Sequence, residues 1–266
     1  MVVSKIKNTI KDILLKCTSL KSFNNHLISR VKGDEIHIFI ACLPKSGSTF
    51  LANVLVNITG FEFVQFQPIR GTNDHNIDPS VFYESLNKNT ITQLHSKPNE
   101  SNKYYMERYN IKIIFLYRDI RSSLKSFYNH IITENDKWFM FTVAKEFREW
   151  EIEKQFDFLI DLIIPWYINF LTSWKIEVKK KELDILEIDF DDFKNSNAET
   201  INKILTFYEL DNYKKNIESA LDISYSKKEA LRFNSVVSKI DYEFTTNQLN
   251  KIKYLISYYP ELNIKI

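Results

Sequence analysis

Lys45-Ser46-Gly47-Ser48-Thr49 sets a cation, a glycine and three hydroxyls within five residues. The chain has only four glycines in 266 residues, so a glycine at this point asks for a reason in the backbone. The run follows Ile38-Phe39-Ile40-Ala41-Cys42-Leu43-Pro44, an apolar stretch of strand character, and leads into Phe50-Leu51-Ala52, which continues as a helix. A helix start offers N–H groups without intrahelical partners and the positive end of the dipole, and the two together favour an anion. Gly47 lets the backbone come close to such a ligand. Ser48 and Thr49 add hydroxyl donors, and Lys45 adds a point charge. The expected chemistry is the cradling of a phosphate.

Two further groups could act beside it. Arg118 follows the apolar run Ile-Lys-Ile-Ile-Phe-Leu-Tyr, and Ser126 stands eight residues later. Eight residues is a little over two helical turns, which returns Ser126 near the face from which Arg118 departs. An arginine can hold a phosphate in a two-pronged fork. His95 lies in Gln93-Leu94-His95-Ser96-Lys97-Pro98, at the end of a third apolar run. A neutral imidazole there can accept a proton near pH 7. Arg118 could also be a capping or surface arginine, and His95 a structural histidine.

These residues need a scaffold that gathers strand ends. Strands are expected over 36–41, 61–66, 90–95, 111–117 and 183–188. The fourth is nearly continuous in apolar residues, as a strand buried on both faces is. Helices are expected over 48–58, ending near Gly60, and from Asp78-Pro79-Ser80, which reads as a helix start. Further helices are expected over 119–132, 141–160 and 165–180, the last opened by Pro165, and helices fill most of the remainder. Strands alternating with helices predict an α/β fold of three layers, a central parallel sheet flanked by helices. In such sheets ligands bind at the carboxyl ends of the strands. Neither an internal repeat nor a low-complexity linker is visible.

Composition narrows the partners. Lysine and arginine number 36 against 34 acidic residues, a net charge of +2, which argues against nucleic acid as a partner. Cys17 and Cys42 form no CxxC pair, so the expectation is a reducing, cytoplasmic setting with neither a disulfide framework nor a metal site. No stretch reaches the roughly 18 apolar residues of a membrane span, and lysines interrupt any signal-peptide core at the start. Residues 1–33 read as a basic amphipathic extension, with Ile6, Ile10, Ile13 and Leu14 at helical spacing. That segment packs on or beside the domain of residues 34–266, with peripheral membrane contact as the other use of the pattern.

The loop is not a Walker A loop, which places its lysine after the last glycine. Pro44 to Thr49 instead resembles the 5′-phosphosulfate loop of sulfotransferases that use 3′-phosphoadenosine 5′-phosphosulfate (PAPS). That loop reads Pro-Lys-Ser/Ala-Gly-Ser/Thr-Ser/Thr, and all six positions match. Arg118 and Ser126 resemble the family's 3′-phosphate segment. His95 matches by position the catalytic histidine of a Lys-Thr-His-Leu-Pro segment in cytosolic members, although Gln93 replaces the lysine, whose charge Lys97 could supply. Glu187-Ile188-Asp189-Phe190 is similar to the segment after the last strand, with Phe190 at a tyrosine position. Phe50 sits where many members carry a tryptophan. The resemblance implies that Phe50 and Phe190 sandwich adenine, though both could equally be core residues. Leu231-Arg232-Phe233-Asn234 resembles more loosely the arginine-rich loop over the 3′-phosphate, with Lys239 nearby.

The resemblance, which runs from about residue 35 onward, implies a P-loop-like sulfotransferase fold and transfer of a sulfuryl group from PAPS to an acceptor hydroxyl or amine, leaving 3′-phosphoadenosine 5′-phosphate (PAP). It implies Lys45 on the bridging oxygen and His95 as base. Ser126 and Arg118 take the 3′-phosphate, Lys45 through Phe50 with Phe190 and Arg232 complete the nucleotide site, and no metal is required. Arg70, Tyr83, Lys97 and the aromatic run Trp138-Phe139-Met140-Phe141 could face an acceptor, for which a saccharide, lipid or small metabolite all stay open. The family's dimer motif is not visible, so oligomeric state stays open. Two rival readings are a small-molecule kinase, which would need Mg²⁺ and the Walker lysine, and a non-catalytic nucleotide-binding protein.

Overall fold

The computed structural model describes residues 35–67, 75–133, 137–138, 141–227, 240 and 242–266. The 1–33 extension, Arg70, Phe139, Met140, Arg232 and Lys239 lie outside the described residues.

Five strands form one parallel sheet. β1 is His37–Cys42, β2 Glu62–Phe63, β3 Thr90–Leu94 and β4 Ile113–Tyr117; a short antiparallel pair, β5 Lys137–Trp138 and β6 Phe141–Thr142, stands apart, and β7 is Ile185–Asp189. Their order is β2-β3-β1-β4-β7, all parallel, so β1 is central. The near-continuous apolar character of β1 and β4 follows, because both faces are covered. Side chains alternate: Phe39 and Ala41 with Ile113 and Phe115 enter one core, while Ile38, Ile40 and Cys42 with Ile114 and Leu116 enter the other.

Helices supply both outer layers. On one face lie α1 (Ser48–Thr59), α6 (Phe190–Asn195), α7 (Asn197–Phe207) and α8 (Ile217–Ser226), through Phe50, Leu51, Leu55, Phe193, Ile201, Leu205 and Ala220. On the other lie α2 (Pro79–Ser85), α3 (Glu100–Arg108), α4 (Ile120–Thr133), α5 (Ile152–Lys180) and α9 (Thr246–Ile256). Local signals explain several boundaries. Gly60 ends α1 in a left-handed conformation at φ 72°, its N–H donating to the Val56 carbonyl. Asp78 caps α2 by accepting from the Ser80 and Val81 N–H groups, with Pro79 at the first position.

One expectation is corrected here. The two helices over 141–160 and 165–180 are not separate; α5 runs unbroken from Ile152 to Lys180 with Pro165 inside it, and residues 141–149 form β6 and a short 3₁₀ turn. Pro165 removes one backbone donor and crowds the preceding turn. Burial on both sides holds the helix together across that defect: Phe156, Leu159, Ile160 and Ile163 before it, and Tyr167, Phe170, Leu171 and Trp174 after it, all face the core. Trp174 stacks on Phe115 at 5.9 Å and donates its indole N–H to the Ser96 carbonyl at 2.9 Å, which ties α5 to the segment after β3. By length and composition α5 could cross a membrane, yet this buried face makes it the sheet's covering helix.

Candidate active site

Register brings the chemistry-bearing residues to one edge. Ala41 pairs with Leu94, Cys42 with Leu116, and Tyr117 with Asp189. The chain therefore leaves β1, β3, β4 and β7 side by side, at the residues expected to act: Lys45, His95, Arg118 and Phe190. This is the carboxyl edge, and chain order reverses around central β1, the arrangement in which open α/β sheets bind ligands.

The loop after β1 is shaped by two left-handed residues. Lys45 has φ 68° and Gly47 φ 76°, with Ser46 between them at negative φ. Alternation of this kind turns successive backbone N–H groups toward one concavity, a nest for an anion. A non-glycine residue at positive φ is uncommon, so the turn is held from inside: the Ser46 N–H and hydroxyl both donate to the Leu43 carbonyl, the hydroxyl at 2.7 Å. Ser46 is fully buried and its hydroxyl is committed to this turn. The Ser48 hydroxyl lies buried against the Cys42 thiol, leaving Thr49 as the exposed hydroxyl of the loop. α1 begins with neither a side-chain cap nor an acidic residue in its first turn, so its end stays electropositive.

His95 stands where β3 ends, half-buried. Its Nδ1 lies 2.8 Å from the Cys42 carbonyl oxygen, which can only accept, so Nδ1 carries the hydrogen. In the neutral ring Nε2 then holds the lone pair. Burial pushes the His95 pKa down to about 4; the Cys42 hydrogen bond opposes this, and the Lys45 charge adds to it. A neutral imidazole beside a lysine is the pair that base catalysis next to a leaving anion needs. The adjacent Cys42 thiol is pushed up to about 11 by burial, which keeps it protonated and unreactive.

Arg118 leaves the end of β4. Its guanidinium lies 4.5 Å over the Phe190 ring, and Nη1 donates to the Lys45 carbonyl at 3.4 Å, joining the β4 and β7 edges to the loop. Its Nε is buried with no hydrogen-bond partner among the described residues, and the Tyr167 hydroxyl, close enough to feel the guanidinium charge, is the same. Orphaned donors of this kind are costly unless a ligand meets them, and an anion at this edge is the group that fits. Asp119 caps α4 through the Ser122 N–H at 2.8 Å, and Ser126 lies half-buried two turns along it.

A family model described as the sulfotransferase domain matches residues 35–252. The chain belongs to the sulfotransferase family. The fold agrees. Mouse sulfotransferase SULT7A1, solved in complex with PAP, superposes with a TM-score of 0.59 at 18% identity, covering 88% of this chain and 88% of that one. Retinol dehydratase, solved with androsterone and the inactive cofactor PAP, gives a TM-score of 0.53 at 13% identity, covering 84% and 80%. No curated protein sequence matches the chain.

In this sulfotransferase Lys45, Gly47, Thr49, His95 and Arg118 gather at one edge, with Phe190 beneath the Arg118 guanidinium and buried in the same core as Phe50, which does not open onto the edge. Phe50 is only 1% exposed, in the core between Phe193 at 6.1 Å and Tyr225 at 5.1 Å. The half-buried Tyr225 ring next to Phe50 escaped the sequence reading, since only the packing of α8 on α1 brings it there. Tyr83 packs edge-on against Tyr105 and Tyr109, and Lys97 lies half-buried with its carbonyl accepting from Asn102. Among the described residues no group of three or more His, Cys, Asp or Glu side chains is placed to hold a metal.

The depressed histidines make the sulfotransferase acid-sensitive in a defined window. His37 and His95 are pushed down to about 4 and His75 to about 3, each chiefly by burial. The unfolded chain binds these protons near pH 6.5, the folded chain only near pH 3 to 4, so unfolding gains protons between. The stabilisation is complete above pH 6.5 and is lost as pH falls toward 4. The melting temperature, followed by circular dichroism from pH 7.5 to 4, is expected to fall over that interval. A flat profile down to pH 4.5 would contradict the neutral buried histidines.

Proposed function

We propose that the protein transfers the sulfuryl group of PAPS to an acceptor hydroxyl or amine and releases PAP. The observation that carries this reading is the shared edge: an uncapped nest with Lys45, a neutral His95 with its lone pair on Nε2, and the half-buried Arg118, whose buried Nε has no partner among the described residues. The PAP present in both related structures supports the choice of donor. Lys45 neutralises charge on the bridging oxygen and the leaving phosphate. His95 Nε2 takes the proton as the acceptor oxygen bonds to sulfur and the bond from sulfur to the bridging oxygen breaks. Loose transfer of this kind depends on positioning and charge stabilisation. Arg118 with Ser126 holds the 3′-phosphate, Arg232 is assigned to the same nucleotide site by resemblance alone, and Phe190 serves the adenine side. The scheme needs no metal.

The acceptor is a small molecule, glycan or lipid, with the edge near His95 and Lys97 as its approach. Residues 34–266 form the catalytic domain, and 1–33 an extension that packs beside it or touches a membrane surface. A cytoplasmic setting fits the free, buried Cys42 thiol. The test is transfer of labelled sulfate from PAPS to a panel of phenols, sterols, saccharides and amines. Labelled product in one acceptor class, with PAP in equal amount, is the expected result; no PAP formed with any acceptor would count against transfer.

A further inference from the structure

We propose that His75 is a positioning residue for His95, acting through the backbone of residue 95 and through its ring; this rests on the sulfuryl-transfer reading. His75 stands just before α2, twenty residues from His95 in sequence, and β3 with its neighbouring turns brings the two together. The His95 N–H donates to His75 Nδ1 at 2.9 Å, and the two rings stack at 5.1 Å with 28° between their planes.

The geometry has a chemical consequence. His95 lies just beyond the last residue of β3, so its N–H falls outside the strand ladder and takes a side chain as its acceptor. His75 can accept there only with the lone pair on Nδ1, which makes it the neutral tautomer with hydrogen on Nε2. The other side of His95 is fixed by Cys42, whose carbonyl takes the Nδ1 hydrogen and whose thiol lies 3.3 Å from the same nitrogen. Gln93 in turn donates toward that thiol at 3.5 Å. The backbone N–H held by His75 and the ring nitrogen held by Cys42 pin the residue at two points, while the stacked ring limits rotation about the side-chain bond. Nε2, the nitrogen that receives the acceptor's proton, is thereby aimed. Among the described residues, the charged or titratable groups that face the pair include Lys45 on the loop side, the Cys42 thiol beneath, and His95 beside His75. Lys45 disfavours a proton on the His95 ring and His95 disfavours one on the His75 ring, while the Cys42 carbonyl favours one on His95.

His75 touches neither donor nor acceptor in this scheme, so its loss acts on turnover and spares donor affinity. A displacement of about 1 Å at a catalytic group can cost on the order of 100-fold. Asparagine keeps an acceptor near the Nδ1 position, whereas phenylalanine keeps a stacking ring and loses the acceptor. The expected result is a roughly 10- to 100-fold fall in kcat for His75→Phe, with the PAP dissociation constant within about twofold of wild type, and His75→Asn within about fivefold of wild-type kcat.

The ring ¹⁵N spectrum of His95, assigned against His95→Asn, decides the matter without turnover. Wild type and His75→Asn should show Nδ1 protonated and Nε2 with the lone pair; His75→Phe should move toward a tautomer mixture. An unchanged His95 tautomer together with wild-type kcat in His75→Phe would overturn the proposal. If no PAPS turnover is found in wild type, the sulfuryl-transfer reading fails, and the spectrum still shows whether His75 sets His95.

Discussion

His95→Ala lowers turnover by roughly 100- to 10,000-fold, the span that general-base help contributes, while PAP still binds. The size follows from geometry: Cys42 holds the Nδ1 hydrogen, so the proton acceptor in the proposed scheme is His95 Nε2. Burial and Lys45 push the His95 pKa down to about 4, so wild-type turnover is expected to show no acid limb at the usual histidine value near 6.5. Binding is expected to survive because the proposed scheme assigns the donor to the nest and to Arg118 on the neighbouring strand ends. The check is kcat with labelled PAPS beside a PAP titration for each protein. Wild-type turnover in the variant would remove His95 from the mechanism. Loss of PAP binding along with activity would make it a residue of the donor site or of the fold.

Arg118→Ala weakens PAP binding by about 10- to 100-fold, from the roughly 1.5–3 kcal/mol that a hydrogen bond to a charged group carries. Within the chain, Arg118 has one hydrogen bond, to the Lys45 carbonyl, and a ring contact with Phe190 among the described residues. Burial works against its charge, Asp119 and Asp191 only partly oppose that, and Nε has no partner among the described residues. Removing it therefore changes unliganded stability little, and a melting temperature close to wild type is expected. The combination separates a ligand-binding arginine from a structural one, because a purely structural arginine would lower the melting temperature and leave the PAP dissociation constant unchanged. Titration calorimetry with PAP and a thermal melt of the same preparation supply both numbers.

Where the physics is local, the sequence carried the structure. The apolar run into Lys45-Ser46-Gly47 foretold β1, the turn and the start of α1, since strand burial, a left-handed glycine and an exposed helix start all lie within a dozen residues. Asp78-Pro79 and Gly60 marked helix ends for the same reason. Features decided by distant packing were not readable. Pro165 looks like a helix start, and only the burial of residues on both sides shows that α5 continues through it. α3, over Glu100–Arg108, has few apolar residues and was not foreseen; Asn99 caps it by accepting from the Asn102 N–H. The helix expected over 119–132 is α4, which begins at Ile120 and carries Ser126, with Arg118 at the strand end before it. Phe50 followed the right loop but turned into the core, and the Tyr225 and His75 contacts join residues far apart in the chain. The four strand ends that form the edge were legible as positions; the tautomer of His95 and the pairing of Arg118 with Phe190 were not.

The most direct test is thermal stabilisation of the wild-type protein by PAP, beside ATP with Mg²⁺ and AMP. A ligand present at 100 times its dissociation constant stabilises the folded state by about 2.7 kcal/mol, which at this chain length corresponds to a shift of about 5 °C or more. A shift of that size with PAP, smaller with AMP and with ATP and Mg²⁺, is the result expected of a PAPS-dependent transferase. No shift with PAP, or a larger one with ATP and Mg²⁺, would contradict it and assign the phosphate nest to a different nucleotide.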